Sequence, residues 1–364
     1  MEKIRVLVAD DSAFMRKLIQ EILLTSGRIE IAGTARNGKD AIEKTKRLKP
    51  DVVTMDIEMP VINGIDALKK IMKESPVPIV MLSSTTTEGA ENTFLAIQNG
   101  AVDFIAKPSG TISLDLEKIS DEIIAKVLAA SKANLSRLTR IQQGKNLFPT
   151  NSQKSSKIEL YTQGEIHQET SWEKSAKKIV CIGTSTGGPR ALQAVLSKLP
   201  ALMPAPILIV QHMPAGFTKS LASRLNSLSK LTVKEAEDGE VLVNGTAYIA
   251  PGGYQLKVKK TGDHLAVNLD QSGMRNGLRP SVDLMFESVS QIPEYAKIAV
   301  IMTGMGTDGM EGLNFLHQSG KLKAIAESEE TSIVFGMPKA AISTHLIDEV
   351  QNVETIAETI LKYV

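Results

Sequence analysis

Along the first third of the chain, short continuous apolar runs alternate with stretches whose apolar residues recur every three or four positions. The first pattern predicts strands buried on both faces, the second helices with one core-facing side. Ile4-Arg-Val-Leu-Val-Ala9 ends at Asp10 and Asp11, and Met15, Leu18, Ile19, Ile22 and Leu23 then mark one helical face. Further strands are predicted near 29–34, at 52–55 running into Asp56, at 79–82 running into Ser83, and at 102–106 running into Lys107. Helices are predicted at 40–48 and 114–138.

The same alternation returns after residue 176. Apolar runs at 179–182, 205–211 and 298–302 predict buried strands, and Pro189 opens a helix lined by Ala191, Leu192, Val195, Leu196 and Leu199. Segments 246–250, 254–258 and 265–269 read as shorter strands, from which an antiparallel ribbon at a sheet edge is expected. The fold class is therefore α/β, with two doubly wound parallel-sheet domains. Between them, residues 139–176 hold sixteen Ser, Thr, Asn or Gln and nine apolar residues in 38, without a sustained period. That composition predicts a mobile polar linker, with Phe148-Pro149 and Trp172 as its groups able to dock on a domain.

Open α/β sheets bind their ligands beyond the carboxyl ends of the strands, so the residues there carry the candidate chemistry. In the second half, Gly183-Thr-Ser-Thr-Gly-Gly-Pro189 places Ser185 between a strand and a helix N-terminus. Free backbone N–H groups there, including that of Thr186, can stabilise an oxyanion, but the same turn alone would equally suit a phosphate. A base and an acid separate the two readings. Of five histidines, His212 emerges from a buried strand, whereas His167 lies in the linker, His264 in a turn, and His317 and His345 at helix ends. Asp308 lies in the loop after the third strand, where it can orient the imidazole of His212; by itself it would read as a helix cap. The order Ser, His, Asp along the chain differs from that of α/β-hydrolases, chymotrypsin and subtilisin, so a separate hydrolase fold is expected.

The first half converges on a different chemistry. Asp10, Asp11 and Asp56 would repel one another unless a divalent cation joined them, and Mg²⁺ suits such hard oxygen ligands. Asp56 could then accept a phosphoryl group, with Lys107 helping to neutralise the incoming oxygens.

These residues carry a resemblance to two known families. The first half is similar to response-regulator receiver domains: Asp10 and Asp11 match the acidic pair, Asp56 in Met55-Asp-Ile-Glu-Met-Pro60 the phosphoacceptor, Ser83 the switch hydroxyl and Lys107 the lysine. The second resembles the catalytic domain of chemotaxis protein-glutamate methylesterases, through residues 183–189, Gln211-His-Met-Pro214, Thr303-Gly-Met-Gly-Thr-Asp-Gly309 and Thr331-Ser-Ile-Val-Phe-Gly-Met-Pro338. The resemblance implies a flavodoxin-like receiver at 1–138 and a Rossmann-like methylesterase domain at 177–364. It implies Ser185 as nucleophile, His212 as base, Asp308 as orienting acid, and Thr186 and Met305 at the oxyanion. It also implies demethylation of glutamyl methyl esters on chemoreceptors, deamidation of receptor glutamines, and phosphorylation by a chemotaxis histidine kinase with Mg²⁺ in the receiver; no cofactor is expected in the esterase domain. Phosphorylation is expected to draw Ser83 inward, shift Phe104 and relieve inhibition by a receiver packed over Ser185 and His212.

Composition bounds the remaining classes. Forty-two basic against 41 acidic residues give no electrostatic argument for nucleic-acid or membrane binding. The second half shows neither a basic stripe nor a helix-turn-helix pattern, and its glycine-rich turn lacks the Gly-Lys-Ser/Thr ending of a P-loop. A noncatalytic binding output would leave the Ser185, His212 and Asp308 arrangement unexplained. Cys181 falls in a predicted buried strand, where packing is its expected role, and as the single cysteine it can form no internal disulfide. No signal peptide and no 18-residue uncharged apolar run is present, so a cytoplasmic protein without membrane insertion is expected.

Overall fold

The computed structural model describes residues 2–107, 116–135 and 176–364. The linker expected at 139–176 lies outside the described residues apart from Ala176, and with it lie His167, Phe148 and Trp172.

The first unit alternates β1 (Ile4–Ala9), α1 (Ala13–Thr25), β2 (Ile29–Ala35), α2 (Gly38–Leu48), β3 (Val52–Asp56), α3 (Gly64–Glu74), β4 (Ile79–Ser83), α4 (Thr87–Gln98), β5 (Asp103–Ala106) and α5 (Leu116–Ala130). Its parallel sheet runs β2-β1-β3-β4-β5. A polar side chain opens each of the first four helices: Ser12, Asn37, Asn63 and Thr86 accept from backbone N–H groups in the following turn. α5 stops at Ala130, earlier than the predicted 138; the chain turns at Ser131 and Lys132.

The second unit contains β6 (Lys178–Thr184), α6 (Gly188–Leu196), β7 (Ile207–Gln211), α7 (Phe217–Leu228), β8 (Thr232–Glu235), β9 (Thr246–Ile249), β10 (Gln255–Thr261), β11 (His264–Asp270), α8 (Val282–Ser290), β12 (Ala296–Ile301), α9 (Met310–Gln318), β13 (Leu322–Glu327), α10 (Met337–Ile342), β14 (Glu349–Gln351) and α11 (Val353–Tyr363). A seven-stranded parallel sheet is ordered β14-β13-β12-β6-β7-β9-β8. The chain builds one side of it from β6 and then returns through β12 to build the other. The crevice between β6 and β12 is thus the point where strand order reverses.

The two α/β parallel-sheet units match the expected class, and the small antiparallel sheet is present with one difference in placement. β10 and β11 form a two-stranded sheet, with β11 also bridged at Ala266 by Val241, and β10 packs on α8, so the ribbon is a separate sheet rather than an edge of the large one. Residues 246–249 instead pair in parallel between β7 and β8.

The two units touch. α4 packs against α6 and α7, and one buried apolar cluster continues from the first sheet into one face of the second. The rings of Phe104 near the start of β5 and Phe217 at the start of α7 lie 4.6 Å apart. No helix among the described residues is long and apolar enough to cross a membrane.

Candidate active site

β6 and β12 end at the reversal point with β7 beside β6, and each of the three strands delivers one part of the site. Ser185 follows β6 directly; its N–H donates to Thr303 O at 3.0 Å, and its carbonyl accepts from Gly188 N at 2.8 Å. The Ser185 carbonyl also accepts from Gln211 Nε2 at 3.0 Å, while Gln211 Oε1 accepts from Thr184 Oγ1 at 2.6 Å. Gln211 therefore ties the serine loop to β7. This tie explains one glycine: a Cβ on Gly188 would sit 1.9 Å from Gln211 Oε1.

His212 leaves β7 with its N–H on Thr184 O at 3.1 Å, and its Nε2 lies 2.8 Å from Asp308 Oδ2. The other ring nitrogen, Nδ1, makes no hydrogen bond among the described residues. Among the described residues the Ser185 hydroxyl makes no hydrogen bond to the ring; such contacts commonly tighten only when substrate binds.

Asp308 is buried at the N-terminus of α8. Its carboxylate accepts from Ser281 Oγ at 2.8 Å, Val282 N at 2.6 Å and Asp283 N at 3.0 Å in addition to His212. Burial alone would raise this carboxyl, but the hydrogen bond and charge of His212 together with the peptide N–H groups hold it down at about 2. Asp283 performs the complementary task for α9. Gly309 at that helix's N-cap has no side chain to offer, and Asp283 Oδ1 accepts instead from Gly309 N at 2.8 Å and Gly312 N at 2.7 Å. Burial pushes the Asp283 carboxyl up to about 7.

The loop after β12 meets the serine loop face to face. A Cβ on Gly304 would lie 2.8 Å from Ser185 Cβ and 2.4 Å from Met337 Sδ, so no side chain fits there. Gly304 N donates to Val334 O, and Gly304 O accepts from Gly336 N and Met337 N, which gives the 331–338 motif its structural task. The buried carboxylate of Glu327 holds Thr303 N at 2.8 Å and Thr331 Oγ1 at 2.9 Å. Thr186 is buried beside Ser185, whereas Met305 is exposed.

In the first unit, Asp10 and Asp11 follow β1, Asp56 ends β3 and Lys107 follows β5. The three aspartates bring carboxylate oxygens within 4.8 Å of one another. Lys107 Nζ lies 2.7 Å from Asp56 Oδ2 and 3.1 Å from Asp10 Oδ2. Burial pushes Asp56 up to about 6 against the pull of Lys107. Burial also draws Lys107 down, but Asp56 and Asp10 outweigh it and its value is raised. Three hard oxygen donors opening to solvent at Asp11 fit a small divalent cation. Ser83 donates to Gly89 O at 2.9 Å, away from Asp56, and Phe104 is buried against Phe217.

The structure thus gathers Ser185, His212, Asp308, Thr186 and Met305 at one sheet edge, and Asp10, Asp11, Asp56, Ser83 and Lys107 at another. Gln211, Ser281, Asp283 and Glu327, which hold the first group in place, were not among the sequence candidates. Gln211 adjoins His212 in a recognisable motif; Ser281 and Asp283 gain their roles only when α8 meets the loop after β12.

A chain with an acidic phosphoacceptor-type edge in one α/β unit and a Ser, His and Asp edge in the next belongs to the class of receiver-linked hydrolases. Comparison with known proteins narrows this class: residues 6–117 match the response regulator receiver domain and residues 180–360 match CheB methylesterase. The protein-glutamate methylesterase/protein-glutamine glutaminase of Geobacillus kaustophilus is 54% identical, with 100% of this chain and 99% of that protein covered. Its counterpart from Halalkalibacterium halodurans is also 54% identical, over 99% of this chain and 98% of that protein. The crystal structure of the Thermotoga maritima CheB methylesterase catalytic domain superposes with a TM-score of 0.50 at 46% identity, covering 52% of this chain and 100% of that one. The chain belongs to the CheB methylesterase family.

Proposed function

We propose that the chain is a phosphorylation-activated esterase that demethylates glutamyl methyl esters on chemoreceptors, releasing methanol, and deamidates receptor glutamines at the same site, in chemotactic adaptation. The observation that carries this reading is the convergence of Ser185, His212 and Asp308 at one sheet edge of a chain aligned end to end with methylesterase relatives.

Ser185 Oγ attacks the ester carbonyl while His212 Nδ1 takes its proton, and Asp308 on Nε2 fixes the tautomer and balances the imidazolium. The tetrahedral oxyanion is received by the backbone N–H groups of Thr186 and Met305. The imidazolium returns its proton to the departing methoxide, giving methanol. His212 then activates water, which hydrolyses the acyl-serine to the free glutamate. With a glutamine side chain the same steps release ammonia.

We assign 1–138 to the receiver, 139–176 to the linker and 177–364 to the catalytic domain. In the receiver Asp10, Asp11 and Asp56 would hold Mg²⁺, which when bound neutralises phosphoryl oxygens during transfer to Asp56. Lys107 shares that task, and Ser83 and Phe104 relay the change towards the catalytic domain. A chemotaxis histidine kinase is the proposed phosphodonor, and the cytoplasm, where both partners are reached, the proposed location.

The test measures methanol release from methylated receptor membranes by wild type and Ser185→Ala, with and without acetyl phosphate and Mg²⁺. Release that rises with phosphodonor and falls at least about a thousandfold in Ser185→Ala is expected. Release that ignores the phosphodonor removes the switch, and undiminished release by Ser185→Ala removes the assigned nucleophile.

A further inference from the structure

Asp103, the first residue of β5, reaches out of the receiver and touches the residue after the nucleophile. Its Oδ2 accepts from Thr186 Oγ1 at 2.6 Å in a buried contact. Its Oδ1 accepts from Phe104 N at 2.7 Å and lies 3.4 Å from Lys126 Nζ. Lys126 is shared: it pairs with Glu122 at 3.0 Å, donates to Phe104 O, and sits 4.8 Å over the Phe104 ring. Burial draws Lys126 down, but the two carboxylates outweigh it and keep it charged. Two carboxylates therefore share one ammonium, and the group as a whole carries a net negative charge.

An interface that only had to cover the site would not need this group. The Phe104 and Phe217 rings already supply an apolar seal, and burying a carboxylate beside them costs desolvation. The location of the charge is the informative feature. Thr186 Oγ1 and the Thr186 backbone nitrogen belong to one residue, so Asp103 lies within roughly 6 Å of the N–H assigned to the oxyanion.

We propose that Asp103 is a positioning residue through which the unphosphorylated receiver slows the esterase: its carboxylate grips Thr186 and sets a negative charge beside the point where the substrate's carbonyl oxygen becomes anionic. The ground-state ester is neutral and scarcely feels this charge, whereas the tetrahedral intermediate is repelled by it, so the effect falls on kcat rather than on KM. At an effective dielectric constant of about 20, a like charge at such a distance, partly offset by Lys126, slows the step about tenfold. Movement of β5 on phosphorylation of Asp56 lifts the charge away. The proposal rests on the assignment of Ser185 and the Thr186 N–H above.

The full-length protein carrying Asp103→Asn tests it, because the amide oxygen keeps an acceptor for Thr186 and the charge is removed, the –NH₂ then turning towards Phe104 N and Lys126. Expected without phosphodonor is a rise in kcat of about tenfold with KM unchanged, and with phosphodonor a kcat equal to wild type. Glu122→Gln, at a partly exposed position, frees Lys126 for Asp103 and is expected to raise unphosphorylated kcat about twofold, without disturbing the interface. Small-angle scattering of each variant is expected to match that of wild type.

An unchanged kcat in both variants overturns the proposal. So does a rise confined to KM, a rise in Asp103→Ala absent from Asp103→Asn, or a rise accompanied by separation of the domains. Failure of the underlying reading looks different, since Ser185→Ala would then release methanol as fast as wild type.

Discussion

Asp308 illustrates how one carboxylate can be bound both to the chemistry and to the fold. It accepts four hydrogen bonds, three of them from the first residues of the α8 segment. Asp308→Asn presents an amide –NH₂ where donors already point, so kcat is expected to fall roughly 10³–10⁴-fold, with loss of stability besides. Acid unfolding separates these effects. A carboxyl lowered from 3.8 to about 2 contributes stability that is present above pH 3.8 and is lost as pH falls towards 2. The stability gap between wild type and Asp308→Asn should therefore narrow by roughly 2 kcal/mol across that window, read from denaturant titrations at each pH. Asp283 runs the other way. A carboxyl raised to about 7 costs stability increasingly from pH 3.8 up to 7, then levels off. Asp283→Asn keeps the acceptor for Gly309 and Gly312 and should gain on the order of 2 kcal/mol over wild type at pH 8, with a smaller gain at pH 5. Asp308 was legible in the sequence because it lies just beyond a buried strand. Asp283 was not, since nothing in its own helix reveals that it caps another.

At the scale of elements, the strands were legible because burial on both faces leaves unbroken apolar runs, as in β6, β7 and β12. The ribbon was legible as strands but not in its placement. Alternation identifies a half-buried strand without naming its partner, and β10 packs on α8 while the ribbon it forms with β11 stays apart from the large sheet. The loops between elements were read as chemistry, while their mutual fastening was hidden. Gly188→Ala tests that fastening, since a Cβ 1.9 Å from Gln211 Oε1 must displace the amide from Thr184 and from the Ser185 carbonyl. The variant is expected to fold with a circular dichroism spectrum like that of wild type and to lose at least about a hundredfold in kcat through misplacement of the nucleophile.

For the whole molecule, the decisive contact joins residues that no local pattern relates. Asp103 and Thr186 stand 83 positions apart, and Asn134 N, beyond α5, donates to Ile333 O at 3.1 Å in the motif that supports Gly304. The receiver thus rests on the serine loop, on the helix after His212 and on the loop behind Gly304. Deleting residues 1–138 is expected to raise basal methanol release, and unchanged release by a folded fragment would contradict inhibition by the receiver. Whether the two units part, tilt or merely loosen is a question of distance, and the chain is unusually convenient for measuring it. Its only thiol, Cys181, is sealed within β6, where burial pushes it far up and away from reactivity. Cysteines placed at Leu95 and Ser223, which line one groove between α4 and α7, would therefore be the only positions to take a fluorophore or spin label, with no native residue to remove first.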